Sequence, residues 1–361
     1  MPRIIKVATI QMDAMPAPVG ERLERAETIV AQAAQAGTQL VVLPELFNTG
    51  YAYTDDNYEL AEPLDGITSA WMKASAARLG IHLAGALMIL DRNEIYDTML
   101  LFSPSGQMWR YDKNYPWAWE RAYFRGRRGM TVAKTELGDL GLMICWDLGH
   151  VDMWKQYAGK ADMIVIASCP PDGTSYEFPN EEKLDFNDLG SMSSIKDVGR
   201  QFFGEMVNQQ AKWLGVPVLN SGASGRVRTH IPKARALLRS FILFEPRLIK
   251  LLPKAEGLQL SCEMIPSCKV VDAHGHTLAE RAPDDGEGFA ISEVTLADSK
   301  SMPAHRQPNP PLDRTTTRMA LFNADIVVPL MMKSVYKNGL KKLKNRSSSN
   351  NYKINIASPN E

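Results

Sequence analysis

Residues 140–154 read LGLMICWDLGHVDMW. The run Leu140–Cys145 is apolar and short, which suits a strand, and it ends on a cysteine. A helical pattern follows near Asp152–Tyr157, and Met163–Ala167 is a second short apolar run. Strand, turn, helix and strand form the unit that sets helices outside a mostly parallel or mixed sheet.

The alternation continues outward in both directions. Ile4–Gln11 reads as a strand. Glu21–Ala36 reads as a helix stopped at Gly37, with Ala26, Ile29, Val30 and Ala33 as its apolar positions. Thr38–Pro44 is a buried strand that stops before Glu45, and Ser69–Leu79 is a helix ahead of the strand Ile81–Leu90. Tyr96–Phe102 and Gln107–Asp112 form a hairpin across Ser103–Gly106. Further on come a helix near Arg200–Leu214 and strands at Val216–Asn220, Lys269–Val271 and Phe289–Val294. The DAHGHT segment that contains His274 and His276 reads as a hairpin turn, not a metal pair. Two segments interrupt the pattern: an acidic, turn-rich stretch at 172–188 and a basic, apolar one at 226–254. The composition of 346–361 is that of a disordered tail.

The chain has 361 residues, with 41 basic and 41 acidic side chains. That balance argues against nucleic acid as a partner, but it hides segregation. The stretches 226–254 and 333–346 hold 14 of the basic residues and only one acid, Glu245. Four scattered cysteines (145, 169, 262, 268) form no disulfide framework and no CxxC zinc pair. With no signal peptide and no run of 18 apolar residues, the expectation is a cytoplasmic protein in which an important cysteine is a reactive thiol.

Three polar residues end apolar strands: Glu45 after LVVLP, Lys113 after QMWRYD and Cys145 after LGLMI. Side chains from different strands converge at such a rim. An ammonium beside a thiol favours the thiolate, which is the nucleophilic form. A carboxylate in reach can take and return protons.

VVLPELFNTGY (41–51), YDKNYPWAWERAYF (111–124) and GLMICWDLGHVDMW (141–154) resemble, in order, the glutamate, lysine and cysteine motifs of the carbon–nitrogen hydrolase (nitrilase) superfamily. The likeness covers most of residues 4–295. It implies a four-layer αββα sandwich over 1–300, with insertions near 172–195 and 226–258. Beyond it lies an extension, 301–345, that carries a basic amphipathic helix. It also implies a catalytic triad of Glu45, Lys113 and Cys145 assisted by Glu120, with the Trp146 backbone N–H and Tyr51 at the oxyanion and substrate. No metal or organic cofactor is implied, and a homodimer or larger assembly is. Cys-Trp-Asp at 145–147 resembles the amide-hydrolase side of the superfamily more than the nitrilases. The expected substrate is therefore a small-molecule amide.

Two positions depart from the motifs: Asp112 stands immediately before the lysine, and His150–Val151 follow the cysteine motif. These departures prompt an alternative, a catalytically silent lipid- or protein-binding member; altered packing is the simpler account. In 232–252, Leu237, Phe241 and Phe244 fall on one helical face among basic residues. Near the C-terminus Lys333, Lys337, Lys341 and Lys344 recur with Met332, Val335, Tyr336 and Leu343 between them. Basic amphipathic helices of this kind lie on anionic membranes. For 226–254 and 333–346 two readings stay open: helices that pack against the domain or a dimer mate with their lysines solvated, or a protein peripheral on the inner face of the membrane that acts on a hydrophobic acyl amide.

Overall fold

Two six-stranded sheets pack face to face at the centre of the molecule. The structure is a computed structural model that describes residues 3–177, 183–185, 195–242, 246–310 and 314–356. One sheet runs, in spatial order, Met108–Asp112, Glu94–Phe102, His82–Asp91, Leu40–Glu45, Arg3–Asp13 and Gly288–Leu296. The other runs Val132–Thr135, Gly138–Ile144, Met163–Ala167, Val218–Ser224, Lys269–Val271 and Thr277–Glu280. A short parallel pairing, Gln11 with Gly222 to Asp13 with Ser224, joins them. Helices Val19–Gln35 and Ile67–Leu79 cover the outside of the first sheet; Val151–Tyr157 and Ile195–Leu214 flank the second. This is the αββα sandwich.

The alternation of side chains along each strand builds the layers. Val7, Leu40, Val42, Ala84 and Ala86 belong to the core between the sheets. Their neighbours Ala8, Val41, Leu43, Leu83 and Leu87 face the outer helices with Leu23, Ile29, Val30 and Met72. Both sides of these strands are thus apolar and buried, which leaves the strand ends as the place for polar chemistry.

Sequence and structure differ where pairing is distant in the chain. A separate antiparallel sheet runs Lys183–Asp185, Pro171–Glu177, Gln259–Met264 and Arg226–His230. The two stretches expected as insertions therefore meet across Gln259–Met264. Asp172, part of the acidic stretch, is buried and held by Arg200 at 2.5 Å. The stretch 226–254 is not one amphipathic helix: it holds a strand, the helix Ala234–Ile242 with Leu237 buried, and a 3₁₀ segment Pro246–Lys254. Phe244 and the Phe241 side chain lie outside the description. Val218–Ser224 extends past Asn220 because its small polar residues find partners; the Ser168 hydroxyl donates to Asn220 at 2.7 Å.

The C-terminal extension is helical over Arg314–Phe322 and Val328–Ile356, with a π turn at Asn323–Val327 between. It thus runs into the stretch read as a tail from 346; beyond 345 only the backbone is described, and 357–361 lie outside. Several contacts seat the helix on the domain. The Tyr336 hydroxyl donates to Glu94 at 2.6 Å and accepts from the Ile95 N–H at 3.0 Å. The Tyr58 hydroxyl lies between the carbonyls of Ala122 (2.5 Å) and Val335 (3.3 Å). Gly339 lies so close to the Tyr58 ring that a Cβ there would collide with it.

Candidate active site

Glu45 ends its strand, Lys113 follows the end of Met108–Asp112, and Cys145 follows Gly138–Ile144. The two facing sheets bring these ends together. All three residues are buried. Lys113 Nζ donates to Glu45 Oε1 at 2.5 Å and to Glu120 Oε2 at 2.6 Å, and lies 3.4 Å from Asp97 Oδ2. Glu120 Oε2 also accepts the Trp117 N–H at 2.8 Å. Glu45 Oε2 accepts the Cys169 N–H at 2.8 Å, so the backbone after the strand Met163–Ala167 fixes it.

Backbone strain collects around this cluster. Leu46, Ala118 and Cys145 have φ of 52°, 35° and 45°, the left-handed region that side chains with a Cβ disfavour. Each adjoins or carries a site residue: Leu46 follows Glu45, Ala118 opens the 3₁₀ turn of Glu120, and Cys145 is itself at the bend. Such outliers persist only where the surroundings over-determine them.

The electrostatics follow from burial. For Lys113 burial opposes the charge, but Glu120 and Glu45 outweigh it and hold the ammonium charged, its pKa well above the ordinary lysine value. Burial, then the negative charge of Glu45, pushes the Cys145 thiol well up, so the resting group is a thiol. This changes the simple expectation of a standing thiolate, because the Lys113 charge is already taken up by carboxylates. Burial raises Glu120 to about 7 against the pull of Lys113. Burial, then the negative charge of Glu45, pushes Asp97 well above its ordinary value.

The other expected residues fall around this centre. Tyr51 is buried behind Glu120, its hydroxyl 3.5 Å from Glu120 Oε1 and 2.5 Å from the Tyr53 hydroxyl. Trp146 lies in the first turn of Cys145–Gly149, where backbone N–H groups have no intrahelical acceptor. Its ring is a wall between Trp117 and Phe202, and its indole N–H donates to Asp325 at 3.1 Å. Asp112 turns away from the cluster and accepts from Thr98, Arg110 and Arg127 at 2.6, 2.9 and 2.6 Å. That departure is packing. His150 instead stacks on Tyr115 and faces Asp325 of the extension at 3.4 Å. Burial and Arg121 lower it to about 3, so it is neutral.

Four contributors go without a structural role in a reading by motif. Asp97 stands in the apolar strand YDTMLLF, and a carboxyl in such a run was its signal. Asp147 accepts from Tyr111 Oη (2.7 Å), the Asn114 N–H (3.1 Å), the Tyr115 N–H (2.9 Å) and the Ile144 N–H (3.2 Å), clamping the lysine loop to the cysteine loop. Cys169 reads from the sequence as a packing residue at a strand end, and its N–H is what reaches Glu45; Asp325 carries no local signal. Glu45, Asp97 and Glu120 offer three oxygens close enough for a cation, but Lys113 Nζ already sits among them.

A sequence profile of the family described as carbon–nitrogen hydrolase matches residues 6–304. The chain belongs to that family. This carbon–nitrogen hydrolase is 29% identical over 167 residues to a nitrilase of Pyrococcus abyssi, covering 45% of this chain and 64% of that protein. It is 27% identical over 157 residues to the omega-amidase NIT2 of Danio rerio, covering 40% and 56%. The match thus spans less than two thirds of either relative. Among solved structures, a mutant of the Nesterenkonia AN1 amidase of the nitrilase superfamily superposes with a TM-score of 0.57 at 17% identity, over 80% of this chain and 90% of that one. Saccharomyces cerevisiae Nit3 does so with 0.57 at 20%, over 81% and 90%. These likenesses establish the nitrilase fold. The profile stops at 304, so Asp325, which meets Trp146 and His150, comes from outside the family's matched region.

Proposed function

We propose that this carbon–nitrogen hydrolase cleaves a non-peptide amide through a thioester on Cys145. The observation that carries the reading is Lys113, fully buried and bonded to Glu45 and Glu120 beside a cysteine in a left-handed bend.

Glu45 takes the Cys145 proton as sulfur attacks the carbonyl carbon; the carbon–sulfur bond forms and the carbonyl electron pair moves to oxygen. The Lys113 ammonium and the Trp146 backbone N–H stabilise that oxyanion. Glu45 then passes its proton to the nitrogen, the carbon–nitrogen bond breaks, and ammonia or an amine leaves. Water, deprotonated by Glu45, attacks the thioester, and the acid departs as the thiol is restored. Because the thiol is neutral at rest, proton removal accompanies attack. Glu120 holds Lys113 in place, and Tyr51 backs Glu120.

The test is intact-mass spectrometry of acid-quenched wild type and Cys145→Ala after incubation with an amide panel. An acyl adduct on wild type and none on Cys145→Ala is expected. No adduct on either and no turnover by wild type with any amide, ester or nitrile would leave the silent-binder reading standing. A nitrilase activity on the same residues is the second reading, favoured by the Pyrococcus relative. Matched amide and nitrile pairs separate the two by which one yields the acid.

A further inference from the structure

The helix of the C-terminal extension has two faces of different character. Ala320, Ala324, Val328, Met332 and Gly339 turn inward, mostly at four-residue spacing, and are buried. On the opposite face Met319, Phe322, Ile326 and Leu330 are 46, 55, 49 and 70% exposed. The spacing of three and four continues through Lys333, Lys337, Lys341 and Lys344, all exposed. One outer line therefore starts apolar and ends cationic, over about 38 Å for a helical rise. This corrects the expected pairing of faces: Met332 is buried and Tyr336 is tied to Glu94, so the exposed apolar partners of the lysines lie N-terminal to them.

Beside this line a cavity of about 540 Å³ opens between the helix and the segment Glu94–Gly126. Its wall carries Ile326 and Leu330, the cations Arg121, Arg125, Lys333 and Lys337, and the acids Glu94 and Asp325. Exposed apolar surface of this extent is uncommon on a soluble monomer and marks a contact. No acidic residue occurs from 326 through 346. A second copy of the same face would set its lysines against lysines or against apolar side chains, so self-association has no charge complement.

We infer that this face docks in the plane of an anionic lipid bilayer, with Phe322, Ile326 and Leu330 among the acyl chains and Lys333, Lys337 and Lys341 on the lipid phosphates. Thr317–Asn345 is by length and composition also apolar enough to cross a bilayer. Crossing would require the helix to leave the domain and strip the Asp325–Trp146 and Tyr336–Glu94 bonds, whereas lying flat keeps them. The inner face of the same helix meets Trp146, so the bilayer lies directly behind the wall of the site. The inference is independent of the amidase reading, because vesicle binding needs no turnover.

The experiment is co-sedimentation of the full chain with phosphatidylcholine vesicles that contain roughly one third phosphatidylglycerol, against phosphatidylcholine alone. Wild type and Cys145→Ala are expected in the pellet with the anionic vesicles at low salt. Ile326→Glu combined with Leu330→Glu should weaken binding by about tenfold or more, and Lys333→Gln with Lys337→Gln should remove its salt dependence. Both double variants change exposed residues, so circular dichroism should match wild type. Recovery of wild type in the supernatant overturns the inference, as does equal binding by the Glu double variant. If wild type is a dimer without lipid and the Glu variant a monomer, the face is a protein interface and the inference fails.

Discussion

Lys113 reaches three carboxylates without touching water, whereas the helix beyond Arg314 reaches the domain through scattered polar contacts from Asp325, Ser334, Val335, Tyr336 and Lys342. In the first region each buried charge or dipole has partners from several strands, and removing one leaves the others stranded in a low dielectric. In the second, much of each contact is near water, and the buried apolar stripe does most of the holding. The site should therefore respond sharply to single changes and the cover only slightly.

Asp147→Ala tests the first half of this contrast most severely. It strands three backbone N–H groups and the Tyr111 hydroxyl, so unfolding stability should fall by about 3 kcal/mol or more, with activity lost alongside. A denaturant melt within about 1 kcal/mol of wild type would mean that the clamp between the loops is not needed.

Glu120→Gln comes next. Glu120, raised to about 7 by burial, exchanges its proton near neutrality. Wild-type activity should fall as the pH drops through that value, because the protonated acid no longer pairs with Lys113. The Gln variant should be about 10- to 100-fold less active with that limb absent. A variant that keeps the limb would assign it to another group.

Asp325→Asn probes the cover. Burial raises Asp325 to about 6, against the indole N–H of Trp146. A carboxyl raised in the folded state contributes stability that is complete below its unfolded value and is lost as the pH rises through about 6. Wild type should therefore lose about 1–2 kcal/mol relative to the Asn variant between pH 4 and 7, read from melts at each pH. A constant difference would break the assignment. The smallest effect belongs to Asp97→Asn. Because burial and Glu45 push Asp97 toward its neutral form, an amide of the same shape should keep activity within about threefold. A loss as large as that of Glu120→Gln would show that Asp97 carries charge.

The layers were legible because buried strands announce themselves by short apolar runs, as Leu40–Leu43 and Met163–Ala167 do. Glu45, Lys113 and Cys145 were legible for the same reason in reverse, being polar residues that end such runs. What pairs across long distances was not. The sheet that joins Pro171–Glu177 to Gln259–Met264 brings together residues about 90 apart in the chain, and local pattern holds no record of that. The π turns at Phe202–Met206 and Asn323–Val327 were hidden too. Each adds a residue to the helical period, and they bring Phe202 and Asp325 against opposite parts of Trp146. Asp97 shows a different limit: its place in a strand was readable, but the upward push on its pKa comes from burial and from Glu45, which only the fold brings beside it.

Gly339 has a consequence for engineering and for drift. The Tyr58 ring it meets is pinned by the Ala122 carbonyl and packs at a tilt against Tyr123, so it has little room to yield. One added methyl at 339 would act as a wedge, lifting the end of the helix without changing any charge or any atom of the cluster around Lys113. The height and rotation of the whole extension thus hang on a missing side chain, and a single-base change could set them loose.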